Sequence, residues 1–367
     1  MTRVILDCLS LRLYPLARPG FHGATETYAK RLAAGLAARG HEVHVVAPDL
    51  ADDEQRGERE HWWPASYHPS RADVVVCVHS LAHADQYAGD ALVVASNGAD
   101  VPGLEGTLAD LVAAWPVFSR THGELLCRTN PTIKPERCVL TGLGVDLDEY
   151  PPEPVKVPAR MWVGNDPARG LANTLDIFDR VKQHVPEATL RISYDFAAQF
   201  ERLKWHQNAA AETFWECRRR LGSTAGVSLL GTLERSDLVT EQLDAMVHVW
   251  PSDPANVGTQ LHGVSQMEAA AAGCALVLSD VEAFPEVFGT AAEVLPVVGR
   301  FLADPEGDDG RRIDAQDYAD VVIELLRDPD RWREASRRAR RLAEQHTWEA
   351  VIGRWCQLLE QLMWVPA

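Results

Sequence analysis

Short runs of β-branched and other apolar residues alternate with stretches of helical periodicity along the first half of the chain. The strand-like runs are residues 4–6, 42–46, 73–78, 91–95, 115–118 and 138–141, and the helical stretches are residues 26–39 and 123–128. In the first helical stretch Tyr28, Leu32 and Leu36 recur every four residues, which places them on one face. Gly40 follows where a helix end is expected. This alternation predicts a parallel sheet with helices on both faces.

A proline-rich segment, residues 150–158, interrupts the alternation as an interdomain linker does. Beyond it the strand-like runs are residues 160–163, 189–193, 227–230, 247–250 and 275–278, and the helical stretches are residues 171–184, 196–221, 236–245, 264–272, 283–287 and 317–363. A chain of 367 residues suits two domains of ordinary size. We therefore expect one α/β domain in residues 1–150 and another in residues 159–345.

The composition is that of a globular protein, with 46% hydrophobic and 24% charged residues. The formal net charge of −17 disfavours binding that depends on neutralising DNA or RNA phosphates, although a local basic groove stays compatible with it. Seven scattered cysteines, an odd number, fit reduced thiols better than disulfides or a zinc site. The N-terminus lacks the features of a signal peptide, and no run approaches the roughly 18 apolar residues of a membrane span. We expect a cytoplasmic protein without a transmembrane segment.

Short motifs follow one another in a characteristic order from one end of the chain to the other. They are Gly-Ala-Thr-Glu at 23–26, Lys-Arg-Leu-Ala at 30–33, Arg-Gly-His-Glu-Val at 39–43, Asn-Pro at 130–131, Glu-Arg-Cys-Val-Leu at 136–140, Gly-Val-Asp-Leu-Asp at 144–148, the glycine-framed loop 164–171, residues 260–273, Ala-Phe-Pro-Glu-Val at 283–287 and Thr-Trp at 347–348. In order and spacing these motifs resemble those of the family 4 glycosyltransferases. The resemblance covers nearly the whole chain.

The resemblance implies the GT-B fold, an α/β architecture of two Rossmann-like parallel-sheet domains that face each other across a cleft. It implies that residues 1–150 bind the acceptor, that residues 159–345 bind a nucleotide-sugar donor, and that a helix within residues 346–367 returns to the N-terminal domain. It also implies sugar transfer with retention of configuration by front-face attack. No metal ion and no cofactor are implied beyond a UDP-, GDP- or dTDP-sugar as co-substrate.

Glycine-framed helix starts suit such a donor, because free N–H groups and the positive end of the helix dipole attract a diphosphate. The resemblance assigns donor contacts to Gly23, Ala24, Gly164, Asn165, Arg169, His262, Gly263, Val264 and Glu268. Within this set the peptide groups of residues 261–264 contact phosphate and sugar, and Glu268 accepts hydrogen bonds from the ribose hydroxyls. A carboxylate suits a vicinal diol because its two oxygens can accept both protons.

Three positions depart from the family pattern and concern catalysis. Gln260 stands where the family has its first acidic residue, so this position brings no charge. Arg169 is the single cation of the donor-phosphate loop, so part of the stabilisation of the leaving group must come from elsewhere, such as Arg18 or helix ends. Asn97 stands where many members have a His, and His79 is the nearest remaining candidate. Catalytic roles are therefore assigned to Arg169, Gln260, His79 and Asn97.

Two tryptophans and a histidine pair allow more than one interpretation. Trp62 and Trp63 can line an acceptor site, because aromatic faces stack on sugars and apolar molecules, but a packed surface loop fits equally well. His79 and His83 have the spacing of two metal ligands on a helix. No third ligand lies near them in sequence and no Asp-x-Asp element is present, so we expect no metal site.

Other functions stay open beside the glycosyltransferase interpretation. The departures at Gln260, Asn97 and Arg169 fit a partner or binding subunit with weakened turnover. A GT-B enzyme of another reaction type, such as a nucleotide-sugar epimerase or a glycosyltransferase acting on DNA bases, fits as well. The acceptor stays open among a small molecule, a glycan, a lipid and DNA, and so does the oligomeric state.

Overall fold

A computed structural model gives the structure of most of the chain. It describes residues 1–11, 23–48, 50, 52–67, 71–96, 98–164, 170–196, 201, 204, 209–252, 260–297 and 313–364. The chain forms two compact units, the first comprising Met1–Gly144 and His346–Ala367 and the second comprising Val145–Gln345. The division falls a few residues before the predicted linker at 150–158.

The helices and strands follow the predicted alternation. The strands are β1 Arg3–Asp7, β2 Glu42–Ala47, β3 Glu54–Gln55, β4 Glu60–Pro64, β5 Ala72–Val78, β6 Gly89–Ala95, β7 Val112–Val117, β8 Cys138–Leu140, β9 Arg160–Val163, β10 Thr189–Ser193, β11 Val227–Gly231, β12 Val247–Trp250, β13 Ala275–Ser279 and β14 Glu293–Leu295. The α-helices are α1 Ala24–Ala38, α2 Leu108–Leu111, α3 Arg120–Thr129, α4 Leu171–His184, α5 Ala209–Leu221, α6 Arg235–Asp244, α7 Val264–Ala271, α8 Phe284–Phe288, α9 Ala315–Arg327, α10 Pro329–Gln345 and α11 Trp348–Met363.

The first unit is built on a sheet whose described strands run in the order β3-β4-β2-β1-β5-β6-β7-β8. Its strand pairs are parallel, apart from the short antiparallel pair β3 and β4. The order along the chain changes direction between β1 and β5. Loops that leave neighbouring strands in opposite directions leave a crevice between them at the carboxyl edge, and open α/β sheets bind ligands there.

The second unit repeats this plan with the strand order β11-β10-β9-β12-β13-β14, and every pair is parallel. Here the order changes direction between β9 and β12. The strands are rich in fully buried Val, Leu, Ile and Trp, as expected for a sheet covered on both faces. The predicted α/β fold with two parallel sheets is therefore confirmed.

Two segments differ from the sequence-based expectation. Residues 60–64, interpreted as an acceptor-lining or surface segment, form β4 and pair in register with β2. Tyr150, assigned to the start of the linker, is 1% exposed and belongs to the core of the second unit. The prolines that follow it made the segment look like a linker.

The helix after the second unit packs on the first helix of the chain. A Cβ atom on Gly35 of α1 would lie 2.4 Å from Cγ1 of Ile352 in α11. A Cβ atom on Gly144 would lie 2.6 Å from the backbone nitrogen of Trp348. The backbones therefore approach closely because both glycines lack a side chain. None of the helices in the described ranges combines the length and the hydrophobicity that a membrane span requires.

Gly35→Ala should destabilise the protein, because the added methyl group must displace the buried Ile352 side chain. Overpacking costs roughly 1–3 kcal/mol and the gain in helix propensity returns up to ~1 kcal/mol, so we expect the free energy of unfolding to fall by about 1–2 kcal/mol. Gly353→Ala in α11 is the matched control, because its Cβ would meet no heavy atom within 4 Å. Urea unfolding should show this control stabilised. Equal effects in the two variants would contradict the close packing of α1 and α11.

Candidate functional site

The second sheet ends, at its carboxyl edge, in loops that require glycine. Gly170, which precedes α4, has φ +112°, and a Cβ atom there would lie 2.2 Å from the carbonyl oxygen of Pro251. The residue before α4 therefore lies against the chain that leaves β12. Gly164 follows β9 directly, and a Cβ atom there would lie 2.3 Å from the Trp162 ring. Neither position has room for a side chain.

Two helices begin at this edge without a side-chain cap. Gly170 precedes α4 and Gly263, with φ +101°, precedes α7, and neither helix has an acidic residue in its first turn. The first N–H groups of a helix have no partner within it, and the helix dipole adds partial positive charge there. The start of each helix is therefore suited to an anion such as a diphosphate.

Near these helix starts, two buried side chains each have one polar atom that is not hydrogen-bonded to any described residue. Ser252 follows Pro251, is 1% exposed, and its Oγ is unpaired. Gln266 lies in the first turn of α7, is 2% exposed, and its Nε2 is unpaired. Most buried polar groups in proteins are hydrogen-bonded. These two atoms can therefore donate to, or in the case of Ser252 also accept from, a bound ligand.

The chain that leads into α7 is held by the loop after β13. The backbone N–H of Gln260 donates to the Glu282 carboxylate, and the Gln260 carbonyl accepts from the N–H of Ala283 at 3.2 Å. Gln260 is 7% exposed and His262 is 3% exposed. The peptide groups of residues 261–264, which sequence analysis assigned to donor phosphate and sugar, thus lie between this fixed point and the start of α7.

Glu268 lies one turn into α7 and takes part in a ring of hydrogen bonds. Its Oε1 accepts from Arg235 Nη1 at 2.7 Å, and its Oε2 accepts from Gln242 Nε2 at 3.0 Å. The Tyr150 hydroxyl closes the ring, since it donates to Gln242 Oε1 at 2.7 Å and accepts from Arg235 Nη2 at 3.1 Å. Arg235 also donates from Nε to both oxygens of Glu149, at 3.2 and 3.0 Å.

Arg235 is the one cation of this ring and it serves two carboxylates. Burial alone disfavours the charged guanidinium, but Glu268 and Glu149 raise the pKa of Arg235 above its ordinary value. The side chain of Glu268 is 14% exposed and that of Glu149 is 26% exposed. A carboxylate has about four acceptor positions, so Glu268 can accept ribose hydroxyls in addition to its two protein donors. Arg235, Gln242 and Glu149 were not found by sequence analysis.

The predicted donor and catalytic residues are distributed over both units. The second unit contains Gly164, Gln260, His262, Gly263, Val264 and Glu268, and the first contains Gly23, Ala24, Trp62, Trp63 and His79. Arg169, Asn165 and Asn97 lie outside the described residues, as does Arg18.

The start of α1, where Gly23 and Ala24 are predicted to contact the donor, already contains a carboxylate. Gly23 and Ala24 begin this helix without a side-chain cap. Glu26 in the first turn is 5% exposed, and burial raises the pKa of this carboxyl group above its usual range. A Cβ atom on Gly23 would lie 2.1 Å from Glu26 Oε2. A second anion at this helix start would therefore meet Glu26, which the sequence-based argument left out.

His79 lies at the carboxyl edge of the first sheet in a strained conformation, two residues beyond Cys77, which pairs with the buried Asp7. It follows β5 with φ +77°, unusual for a residue other than glycine. Asp7 ends the neighbouring strand β1 and is 2% exposed. Asp7 Oδ1 accepts from the N–H of Leu9 at 3.0 Å and the Tyr87 hydroxyl at 3.3 Å. Among described residues, Asp7 Oδ2 and His79 Nδ1 have no partner, and burial raises the pKa of Asp7.

The two tryptophans predicted to line an acceptor site face opposite sides of β4, because successive strand residues alternate. Trp62 is fully buried and donates from Nε1 to Glu60 at 2.7 Å, so its assignment to acceptor binding is wrong. Trp63 is half-buried, stacks on Tyr67 with ring centroids 3.9 Å apart, and donates to Nδ1 of His44. Trp63 therefore keeps the exposure that contact with a ligand requires.

In the ranges that the structure covers, no group of three or more His, Cys, Asp or Glu side chains is placed to hold a metal ion. His79 and His83, which have the spacing of metal ligands, are not part of such a group. They belong to the segment that follows β5, where Leu81 and Ser80 bond to the carbonyl of Pro102.

No protein-family profile and no curated protein sequence matches this chain. Solved structures match it over nearly its whole length. Sucrose-phosphate synthase (tll1590) from Thermosynechococcus elongatus is 15% identical, with a TM-score of 0.71 and 99% of each chain covered. AviGT4, a glycosyltransferase involved in avilamycin A biosynthesis, is 17% identical, with a TM-score of 0.65 over 99% of this chain and 98% of that chain. Anabaena Alr3699/HepE, solved in complex with UDP-glucose, is 12% identical, with a TM-score of 0.67 over 98% and 100%.

These similarities concern the fold, since the sequence identities are low. They are similarities to glycosyltransferases of the GT-B type, each of which is covered almost completely by this chain. The prediction of two Rossmann-like parallel-sheet domains of the kind found in GT-B structures is therefore confirmed.

Arg235→Gln should destabilise the second unit, because it leaves the carboxylates of Glu149 and Glu268 close together without their shared cation. We expect the free energy of unfolding to fall by about 2–3 kcal/mol, less than for a fully buried pair because water screens part of the repulsion. Arg219→Gln is the matched control, since Arg219 and Glu216 form an ion pair whose side chains are 71% and 53% exposed. Urea unfolding should show a change below about 0.5 kcal/mol for this control. If the free energy of unfolding falls no more for Arg235→Gln than for Arg219→Gln, the ring contributes no more stability than an exposed ion pair.

Proposed function

We propose that the protein is a glycosyltransferase that moves a sugar from a nucleoside diphosphate sugar to an acceptor, with retention of configuration and without a metal ion. The observation that carries the proposal is the carboxyl edge of the second unit. Two uncapped helix starts, the unpaired Ser252 and Gln266, and the carboxylate of Glu268 all belong to the loops and helices at this edge. Anion sites beside a carboxylate suit a ligand with a diphosphate and a ribose.

The donor binds to the second unit in this proposal. The peptide groups of residues 261–264 and the start of α7 hold the diphosphate, together with the loop from Gly164 through Asn165 to Arg169. Glu268, fixed by Arg235 and Gln242, accepts hydrogen bonds from the ribose hydroxyls. The HepE structure contains UDP-glucose, which makes this molecule the first donor to test. The GDP- and dTDP-sugars remain alternatives.

Catalysis would depend on stabilising the diphosphate as it leaves. Negative charge grows on the leaving phosphate while the sugar becomes oxocarbenium-like. Arg169 and the two helix dipoles supply fixed positive charge at that point, with no reorganisation during the reaction. Retention follows in this proposal from attack on the face that the diphosphate leaves, so no protein nucleophile is required.

The acceptor binds to the first unit in this proposal, at the carboxyl edge that contains His79. Trp63 is half-buried and stacked on Tyr67. It supports this assignment less directly, because it lies within strand β4 and not in a loop at the carboxyl edge. Trp62 takes no part. Location in the cytoplasm is part of the same proposal and agrees with the scattered cysteines, all of which are free thiols.

A subunit that binds donor but has lost turnover is the second candidate function. The observation that favours it is Gln260, which introduces no charge into the turn before α7. The two functions differ in one measurement. An enzyme binds a donor and releases nucleoside diphosphate, by transfer or by slow hydrolysis, whereas the binding subunit binds the donor and releases none.

The experiment is a calorimetric titration with UDP, GDP and dTDP, followed by hydrolysis assays with UDP-glucose, GDP-mannose and dTDP-glucose. We expect one nucleoside diphosphate to bind and its sugar to be hydrolysed slowly, with the same rate in EDTA. Dependence of the rate on Mn²⁺ would contradict the metal-independent mechanism. Binding of none of the three nucleotides at 1 mM ligand would contradict the proposed function.

Arg169→Ala and Glu268→Gln should affect the kinetics in different ways. Arg169 meets charge that grows in the transition state, so Arg169→Ala should lower kcat by about 10- to 100-fold with a smaller change in KM. Glu268 contacts the ribose in both ground and transition states, so Glu268→Gln should raise the donor KM by roughly tenfold with less change in kcat. Steady-state kinetics with the donor identified above provide the measurement.

Glu293→Gln is the control for these two variants. Glu293 begins β14, pairs with Arg338 as Glu268 pairs with Arg235, and has a partly buried side chain that is 29% exposed, but it has no proposed contact with the donor. Its kinetic parameters should match those of the unaltered protein. Arg169→Ala and Glu268→Gln proteins that fold and behave like this control would place the donor site elsewhere.

A further inference from the structure

Glu282 has an unusual backbone conformation at a position where the chain turns toward α8. Its φ of +44° lies in the left-handed region, which a side chain with a Cβ atom disfavours. Glycine or asparagine takes such a position at lower cost. Strained residues of this kind are concentrated at functional sites, where the surrounding structure maintains them. The backbone conformation of Glu282 therefore suggests a functional role for its side chain.

The Glu282 carboxylate reaches the turn before α7, where its Oε2 accepts from the backbone N–H of Gln260. The next residue, Ala283, donates its N–H to the Gln260 carbonyl at 3.2 Å. Both backbone groups of Gln260 are thus bonded to the same loop. The contact fixes the Glu282 carboxylate on the backbone of Gln260, the residue that carries a side-chain amide, three residues ahead of Gly263.

The amide of Gln260 is not used by the protein. The residue is 7% exposed, yet in the described part of the chain its side chain has no hydrogen-bond partner, although it is more than nine-tenths buried. An amide both donates and accepts, and a carboxylate accepts only. Together they match the hydroxyl groups of a sugar, each of which donates one proton and accepts others.

The negative charge of Glu282 excludes the diphosphate of a nucleoside diphosphate sugar as the ligand of this pair. The Glu282 carboxylate would repel a diphosphate, whereas the nearby start of α7 attracts it. A neutral polyol beside the diphosphate is compatible with both. We propose that Glu282 and Gln260 form one recognition pair for hydroxyl groups of the donor sugar, with Glu282 as the specificity-determining residue.

This inference rests on the proposed function, because it concerns the sugar bound next to the diphosphate. It differs from a purely structural role for Glu282, in which the carboxylate only fixes the Gln260 backbone. A structural role predicts that removing the charge weakens nucleotide and sugar binding together, because the whole turn would move. The recognition role predicts that nucleotide binding stays the same and that the sugar alone is affected.

The test uses Glu282→Gln, which keeps the side-chain shape, with Asp280→Asn as the control. Asp280 is exposed and lies two residues earlier in the same loop. Affinity for free UDP, GDP or dTDP is measured first, and then kcat/KM for hydrolysis of the corresponding UDP-glucose, GDP-mannose or dTDP-glucose. We expect Glu282→Gln to lower kcat/KM at least tenfold, which is the scale of one lost charge-assisted hydrogen bond. Its nucleotide affinity should stay within about twofold of that of the unaltered protein. Asp280→Asn should change neither quantity.

Donors that lack a single ring hydroxyl identify the partner of Glu282. The unaltered protein should use one of the monodeoxy donors at least tenfold less well than the parent sugar, and Glu282→Gln should lose this discrimination. The exchange variant Gln260→Glu with Glu282→Gln should recover at least a third of the original kcat/KM, because it returns one carboxylate and one amide to the pair. Should Glu282→Gln fail to fold, Glu282→Asn fits the left-handed backbone better and has the same expected kinetics.

Three outcomes would overturn the inference. Equal discrimination among deoxy donors before and after substitution would show that Glu282 contacts no hydroxyl. A parallel fall in nucleotide affinity would show that it only fixes the turn. If the unaltered protein neither binds a nucleotide nor hydrolyses a donor, both the proposed function and this inference are wrong. This outcome is measured on the unaltered protein, before any variant is made, so it is distinguishable from the other two.

Discussion

The close approach of two loops at the carboxyl edge of the second sheet is the constraint on which the candidate donor site depends. Gly170 lies against the carbonyl of Pro251, where a methyl group would be only 2.2 Å from the oxygen. This contact fixes the first turn of α4 beside the end of β12, and β12 leads to the chain that enters α7. A larger residue at Gly170 would displace the start of α4 and its free N–H groups. The positive potential at this edge therefore depends on the lack of a side chain at Gly170.

Charge along this edge is divided in a way that suits a ligand with one anionic part. The helix starts at Gly170 and Gly263 provide partial positive charge through their free backbone N–H groups. One turn into α7, Arg235 shares its charge between Glu149 and Glu268, which leaves that cluster with one net negative charge. A diphosphate is favoured at the first location and a neutral diol at the second. Under the proposed function, the two regions would orient the donor as well as bind it.

Local features of the sequence were sufficient to predict the fold and the helix starts that follow glycines. Strand periodicity located β12 to the residue, and glycine spacing located the starts of α4 and α7. Contacts between distant segments were not accessible in this way. Arg235 and Glu149 are 86 positions apart, and no local pattern pairs them. Trp62 was misassigned because a short, polar-flanked strand resembles a loop, and Tyr150 because prolines follow a residue that is buried for tertiary reasons.

The packing of α11 on α1 also bears on the order in which the protein folds during synthesis. The face of α1 that contains Gly35 is completed by Ile352, and the whole second unit lies between these residues in the chain. The ribosome therefore releases the β1–β8 segment long before the helix that covers it. Throughout synthesis of the second unit, the face of α1 that contains Gly35 lacks its partner Ile352. The β1–β8 segment is made before the second unit and yet reaches its native surface after it, and that interval is when a chaperone or an aggregating neighbour would meet it.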